Sequence, residues 1–252
     1  MNKEREHIRH KVSFILELWD AFSDQPISDA ALLVQTEDGR RPIRKPEGFY
    51  VFTDCPLPTV VTIESTKYER EEIRIIEENT QSRILKKRLR PGRNYPIPEG
   101  TACLYGTIRP NSQIEVFVEE NAGLWHLLSD YQVKRAPDEM EIFNPLKKDL
   151  VGRRFYIQDR EEKNTDFFEV KQQEGRSGKV FLAEPLKASY KKAGTKLYEC
   201  SSARADEKGR FLIPLKLRTQ GEEEALCRIW TEDRSDQAAI RPGMRLEWKP
   251  IE

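Results

Sequence analysis

The chain lacks a long hydrophobic run, a Cys-x-x-Cys pair, a glycine-rich phosphate loop, a net charge and a helical period. No stretch approaches the ~18 apolar residues of a membrane-spanning helix, so no membrane span is expected. The opening residues, Met1 to His10, have no apolar core and do not read as a secretion signal. The four cysteines, Cys55, Cys103, Cys200 and Cys227, are scattered. Scattered thiols point to a reducing, cytoplasmic setting rather than to a disulfide framework or a metal site. The 13 glycines are dispersed among turns, which leaves no phosphate-binding loop. Lys+Arg and Asp+Glu number 43 each. That balance argues against a general nucleic-acid binder, whose domain would carry excess positive charge.

What is present is β grammar. Phe14, Leu16 and Leu18 alternate with Ile15, Glu17 and Trp19, the period of a strand. Further short apolar stretches follow at residues 30–35, 51–54, 59–64 and 71–77, each bounded by turn residues. One phrase occurs twice. Lys45-Pro46-Glu47-Gly48 precedes Phe49 to Cys55, and Asp206-Glu207-Lys208-Gly209 precedes Arg210 to Leu215. A polar turn closing on glycine before an apolar run predicts a hairpin, with glycine at φ > 0. Strands are also expected at 104–108, 114–118, 154–158, 167–171, 179–182, 196–200 and 225–231, with 123–133 readable as helix or strand. A basic stretch with Pro91, Pro96 and Pro98 reads as an extended linker or an edge segment, with a boundary near residue 95.

Residues 12–76 resemble the carboxypeptidase-regulatory-like, transthyretin-like β-sandwich. The resemblance rests on Phe14 to Asp20, Gln25-Pro26-Ile27, Glu47-Gly48-Phe49-Tyr50-Val51-Phe52, Pro56-Leu57-Pro58, Val60 to Ile63 and Tyr68. Glu47 stands where that family has Asp, and Lys67 where it has Gly. A looser second copy runs through Leu104-Tyr105-Gly106, Ile114 to Val118 and the Gly209 turn, with a long gap between. Residues 151–198 are similar to small barrels of phage-tail and contractile-injection proteins. The expected architecture is therefore mainly β: a transthyretin-like sandwich at 1–78 and a basic, proline-rich linker at 79–100. A second sandwich at 101–135 and 200–252 follows, interrupted by a small β-barrel at 145–200. Some relatives of the fold carry a lysine–asparagine cross-link; Lys11 and Asn79 are the nearest residues here, and an ordinary solvated lysine is the better reading.

Candidates for chemistry are sparse. His7 and His10 are spaced i, i+3, with Glu4 and Glu6 nearby, but a third ligand is missing, so no metal is expected. His126 sits between Trp125 and Leu127 and reads as a packed histidine rather than a general base. Adjacent acids such as Glu71-Glu72 and Glu119-Glu120 point to opposite faces of a strand and do not converge. No cofactor and no small-molecule ligand is expected. The interface candidates are Trp19, on the strand face opposite Phe14 and Leu16, and the basic cluster Lys86, Lys87, Arg88, Arg90 and Arg93. The function expected is that of a non-enzymatic structural or adaptor protein in a larger assembly of phage-tail kind, binding other subunits through sheet edges and loops. The alternative is a carbohydrate- or surface-recognition module with aromatics exposed on one face. A third is a hydrolase built around His126.

Overall fold

The computed structural model describes residues 10–29, 31–80, 84–121, 123–175, 178–218 and 223–249. Regular structure among them is strand, apart from single 3-10 turns at Glu77–Thr80 and Glu119–Asn121. The mainly-β expectation is met. The chain divides into two units, the first ending at Leu89, the second taking Lys67–Glu69 and everything from Arg90 onward.

The first unit contains β1 (Val12–Asp20), β2 (Leu33–Thr36), β3 (Ile43–Arg44), β4 (Phe49–Thr53), β5 (Thr59–Glu64), β6 (Glu71–Ile75) and β7 (Ile84–Leu89). They form two sheets, ordered β3-β4-β1-β7 and β2-β5-β6. The period of two in β1 buries Phe14, Leu16 and Leu18 completely and leaves Ile15, Glu17 and Trp19 on the other face. Phe52 of β4 stacks on Phe14 at 4.6 Å between ring centroids, and Val34, Val61, Ile63 and Ile75 are buried in the second sheet.

The second unit contains β8 (Ala102–Thr107), β9 (Gln113–Val118), β10 (His126–Leu127), β11 (Glu139–Phe143), β12 (Arg154–Gln158), β13 (Thr165–Gln173), β14 (Lys179–Leu182), β15 (Lys196–Arg204), β16 (Arg210–Leu215), β17 (Ala225–Thr231), β18 (Ser235–Ile240) and β19 (Arg245–Trp248). A nine-stranded sheet runs β10-β11-β14-β13-β12-β15-β9-β17-β18, and a three-stranded sheet runs β16-β8-β19. Leu104, Phe211, Ile213 and Trp248 of the small sheet share one buried cluster with Ile114, Val116, Cys227 and Ile229 of the large one. A separate cluster, from Trp125 through Phe155 and Phe168 to Leu197, fills the inserted part.

The two units use the same strand pairing. β1 pairs antiparallel with β4 and parallel with β7. β8 likewise pairs antiparallel with β16 and parallel with β19. The chain β2-β5-β6 is matched by β9-β17-β18, antiparallel throughout. What differs is the stretch between the second strand and the glycine turn. It is two residues of strand in the first unit (β3) and six strands in the second (β10 to β15).

Four expectations need correction. The inserted strands do not close into a barrel: the sheet is open, and among the described residues its β10 end is joined to β15 by an isolated bridge between Trp125 and Leu197 rather than by a ladder. The insertion begins before residue 145, since Trp125, Leu127, Met140 and Ile142 belong to its cluster. Of the two readings of the stretch 79–100, Ile84–Leu89 takes the edge segment rather than the linker, as edge strand β7, and the unit boundary falls at residue 89 rather than 95. The Gly209 turn does not join a hairpin. The strand before it lies in the large sheet and the strand after it in the small one. Of residues 123–133, His126–Leu127 is strand.

Candidate functional site

The outward face of the β3-β4-β1-β7 sheet is built in rows fixed by register. Ile43 pairs with Val51, Val51 with Ile15, and Ile15 with Ile84. Four apolar side chains therefore form one row across all four strands. Its ends are the most open: Ile43 is 51% exposed and Ile84 46%. The next row is Phe49, Glu17 and Lys86, and the one after it Trp19 and Arg88.

The charged end of that face is neutralised internally. Lys86 Nζ lies 3.5 Å from a Glu17 carboxylate oxygen and 4.0 Å from the Trp19 ring centroid. Arg88 donates to Asp24 at 2.7 Å. Lys87 faces the other way and reaches Glu71 of β6 at 3.2 Å. In the second unit Arg90 meets Glu69 at 2.8 Å, while Arg93 is exposed. The predicted basic cluster is thus distributed over two units and both faces of a strand. Lys86 and Arg88 come together on Trp19, and the other three do not join them. The apolar row was missed because each of its members stands on a different strand.

A second feature lies in the large sheet. Phe117 stacks against Tyr156 and Tyr198 at 4.7 and 4.6 Å. These rings are almost fully buried, and burial pushes both phenols up from their usual range. Beside them is a pocket of about 80 Å³. Arg228 with Glu119, and Lys196 with Glu162 at 3.7 Å, line it as ion pairs. The glycan reading asks for aromatic faces open to a ligand; the large exposed aromatics, Tyr105 and Phe143, stand instead on different sheets.

His126 is half-buried and stacks on Phe143 at 4.5 Å. His10 lies 2.6 Å from Asp54. The Lys11 backbone amide and His10 hold the Asp54 carboxyl below the usual carboxylate range. His7, Glu4 and Glu6 lie outside the described residues, as does the side chain of Asn79. Among the described residues no three His, Cys, Asp or Glu side chains are grouped to hold a metal ion, and no helix is long and apolar enough to cross a membrane.

Burial pushes the Cys103 and Cys227 thiols up to about 11, and raises Cys55 and Cys200 as well. Only the thiolate attacks an electrophile, and at pH 8 it is ~0.1% of a thiol three units below its pKa. In the folded chain Cys103 and Cys227 should therefore label negligibly with maleimide at pH 8, and all four cysteines should label in denaturant. Fast labelling of Cys103 or Cys227 in the folded chain would contradict the burial. Compared with protein-family models, with curated proteins and with solved structures, the chain matches none.

Proposed function

We propose that this chain is a non-enzymatic structural or adaptor protein that binds other protein subunits, and that the outward face of the β3-β4-β1-β7 sheet is its main contact. The observation that carries the reading is the apolar row Ile43–Val51–Ile15–Ile84, left facing water in a chain with 34% charged residues. Such a row costs ~25 cal/mol per Å² of apolar area while uncovered, and contiguous exposed apolar surface is typical of protein contacts. Trp19 and the Lys86–Glu17 pair form its polar margin, the arrangement of an apolar centre with a charged rim. Both units are proposed to be modules of the transthyretin-like kind, which their shared strand pairing supports. The free, scattered cysteines support a cytoplasmic setting, alone or within a particle. The likeness of residues 151–198 to phage-tail barrels presupposed a closed barrel. With the sheet open, the kind of assembly is left out of the proposal.

The test is mass in solution with co-purified subunits, followed by titration of the purified partner. Ile43→Glu with Ile84→Glu should weaken the partner at least tenfold and leave the melting temperature within a few degrees. A double variant that binds as tightly as the parent, or a chain that co-purifies with nothing, would overturn the reading.

A further inference from the structure

The small sheet of the second unit ends on β19, and among the described residues no strand lies beyond it. Its pairing with β8 is parallel, with Arg245 against Cys103 and Glu247 against Tyr105. The Cys103 amide donates to the Met244 carbonyl at 2.9 Å. In a pleated strand alternate residues bond to the same neighbour, so Met244, Leu246 and Trp248 serve β8. The amides and carbonyls of Arg245 and Glu247 point the other way, off the end of the sheet. Both residues are exposed, and Leu246 between them is half-buried. Among the described residues none of these outward backbone groups meets a partner.

An open edge is usually guarded by charge, because like charges keep two copies apart. Here the sign alternates. Arg245, Glu247 and Lys249 read plus, minus, plus along the exposed face. Glu247 meets Lys249 at 3.0 Å, while Arg245 has no ion pair among the described residues. The charges choose among the ways of laying this edge antiparallel on itself. An axis at Glu247 sets Glu247 against Glu247 and Arg245 against Lys249, like charge at every position. An axis at Trp248 sets Glu247 against Lys249, which lies beyond the end of the strand. An axis at Leu246 sets Arg245 of each copy against Glu247 of the other, and both stay inside the strand.

We propose that β19 pairs antiparallel with β19 of a second copy of this chain, about a two-fold axis at Leu246. Arg245 and Glu247 of opposite copies then exchange both backbone bonds, which uses every outward group of the two strands. Two cross-strand pairs of opposite charge form with them. The inner face agrees. A row of Ile213, Leu104 and Leu246 runs from the core to the edge, and Leu246 at its end is only partly buried. The axis carries that row on to Leu246 of the second copy and covers the open end. The two small sheets become one, ordered β16-β8-β19-β19-β8-β16. A second copy brings complementary charges at the matching spacing by symmetry, which singles it out as the occupant. A three-residue ladder and one short row fall below the ~800 Å² per partner of a standard interface, so the dimer forms reversibly. This contact uses none of the apolar row of the first unit and stands or falls separately.

Sedimentation velocity of the purified full chain over about 5–500 μM tests this, together with charge reversal and a cross-link that reads the register. The weight-average mass should rise from 29.5 kDa toward twice that value as concentration increases. Arg245→Glu sets glutamate against Glu247 of the other copy and should raise the midpoint at least about fivefold, the scale of two reversed cross-strand pairs. Adding Glu247→Arg to it should recover most of that loss. Both side chains are exposed, so neither change threatens the fold. For the register, Arg245→Cys and Glu247→Cys chains are oxidised separately and as a mixture. Residues that exchange both bonds have Cα atoms about 5.5 Å apart, within disulfide range. The mixture should therefore give a covalent dimer. Each variant alone holds its two thiols out of register and should link far more slowly, and the parent, with Cys55, Cys103 and Cys227 buried, should not link. A single-chain mass throughout, with no cross-link in the mixture, overturns the proposal. So does a dimer whose midpoint ignores Arg245→Glu, or linking that is as fast in the separate variants as in the mixture.

Discussion

Trp125→Ala should destabilise the second unit by about 4 kcal/mol, the scale of a large aromatic removed from a core. Trp125 is 1% exposed and packs edge-on against Phe155 at 5.3 Å. It belongs to the cluster that includes Leu127, Ile142, Phe168 and Leu197. Its backbone also makes the isolated bridge to Leu197 that joins the β10 end of the large sheet to β15. The substitution leaves a cavity and removes the side chain that holds this bridge in place. Denaturant unfolding gives the free-energy loss. Amide exchange should show it in β10 to β15, with β1 and β4 of the first unit keeping their protection. A loss below ~1.5 kcal/mol would mean that the insertion's core does not depend on this residue.

Gly209→Val should cost about 3 kcal/mol. Gly209 has φ of 76°, which a side-chain-bearing residue adopts at ~1–2 kcal/mol. A Cβ here would run into the Ile108 carbonyl oxygen, and overpacking of this kind adds ~1–3 kcal/mol. The clash is with backbone, so no rotamer change relieves it. Gly48→Val should behave alike in the first unit, where φ is 78° and a Cβ would sit 2.6 Å from the Leu18 carbonyl oxygen. Thermal melts of both variants check this. A melting temperature within a degree or two of the parent's would show that the turns are softer than their hydrogen bonds imply.

The parts of the fold that were legible in the sequence are those set by local pattern. Phe14, Leu16 and Leu18 announce β1 by period alone, and Gly48 and Gly209 mark where the chain must take positive φ. The parts that were not legible depend on partners far away in the chain. β7 was readable as a linker or an edge segment, because the prolines after it suit both; Glu17, Glu71 and Asp24, which neutralise Lys86, Lys87 and Arg88 and fix the strand, lie elsewhere in the sequence. Whether inserted strands close into a barrel turns on β10 meeting β15 across some 70 residues, and no window of sequence holds both. The candidate surface was half visible. Trp19 was placed on the correct face, but Ile43, Val51, Ile15 and Ile84 become a row only through three separate strand registers.

The parallel pairing of first and last strands has a mechanical meaning. In each unit the opening strand lies beside the closing one and runs the same way: β1 with β7 over Ile15–Asp20 and Ile84–Leu89, β8 with β19 over Cys103–Gly106 and Arg245–Trp248. A pull on the two ends of a unit therefore drags these strands past each other lengthwise. The ladder is loaded in shear, with all its rungs sharing the force, rather than peeled open one rung at a time.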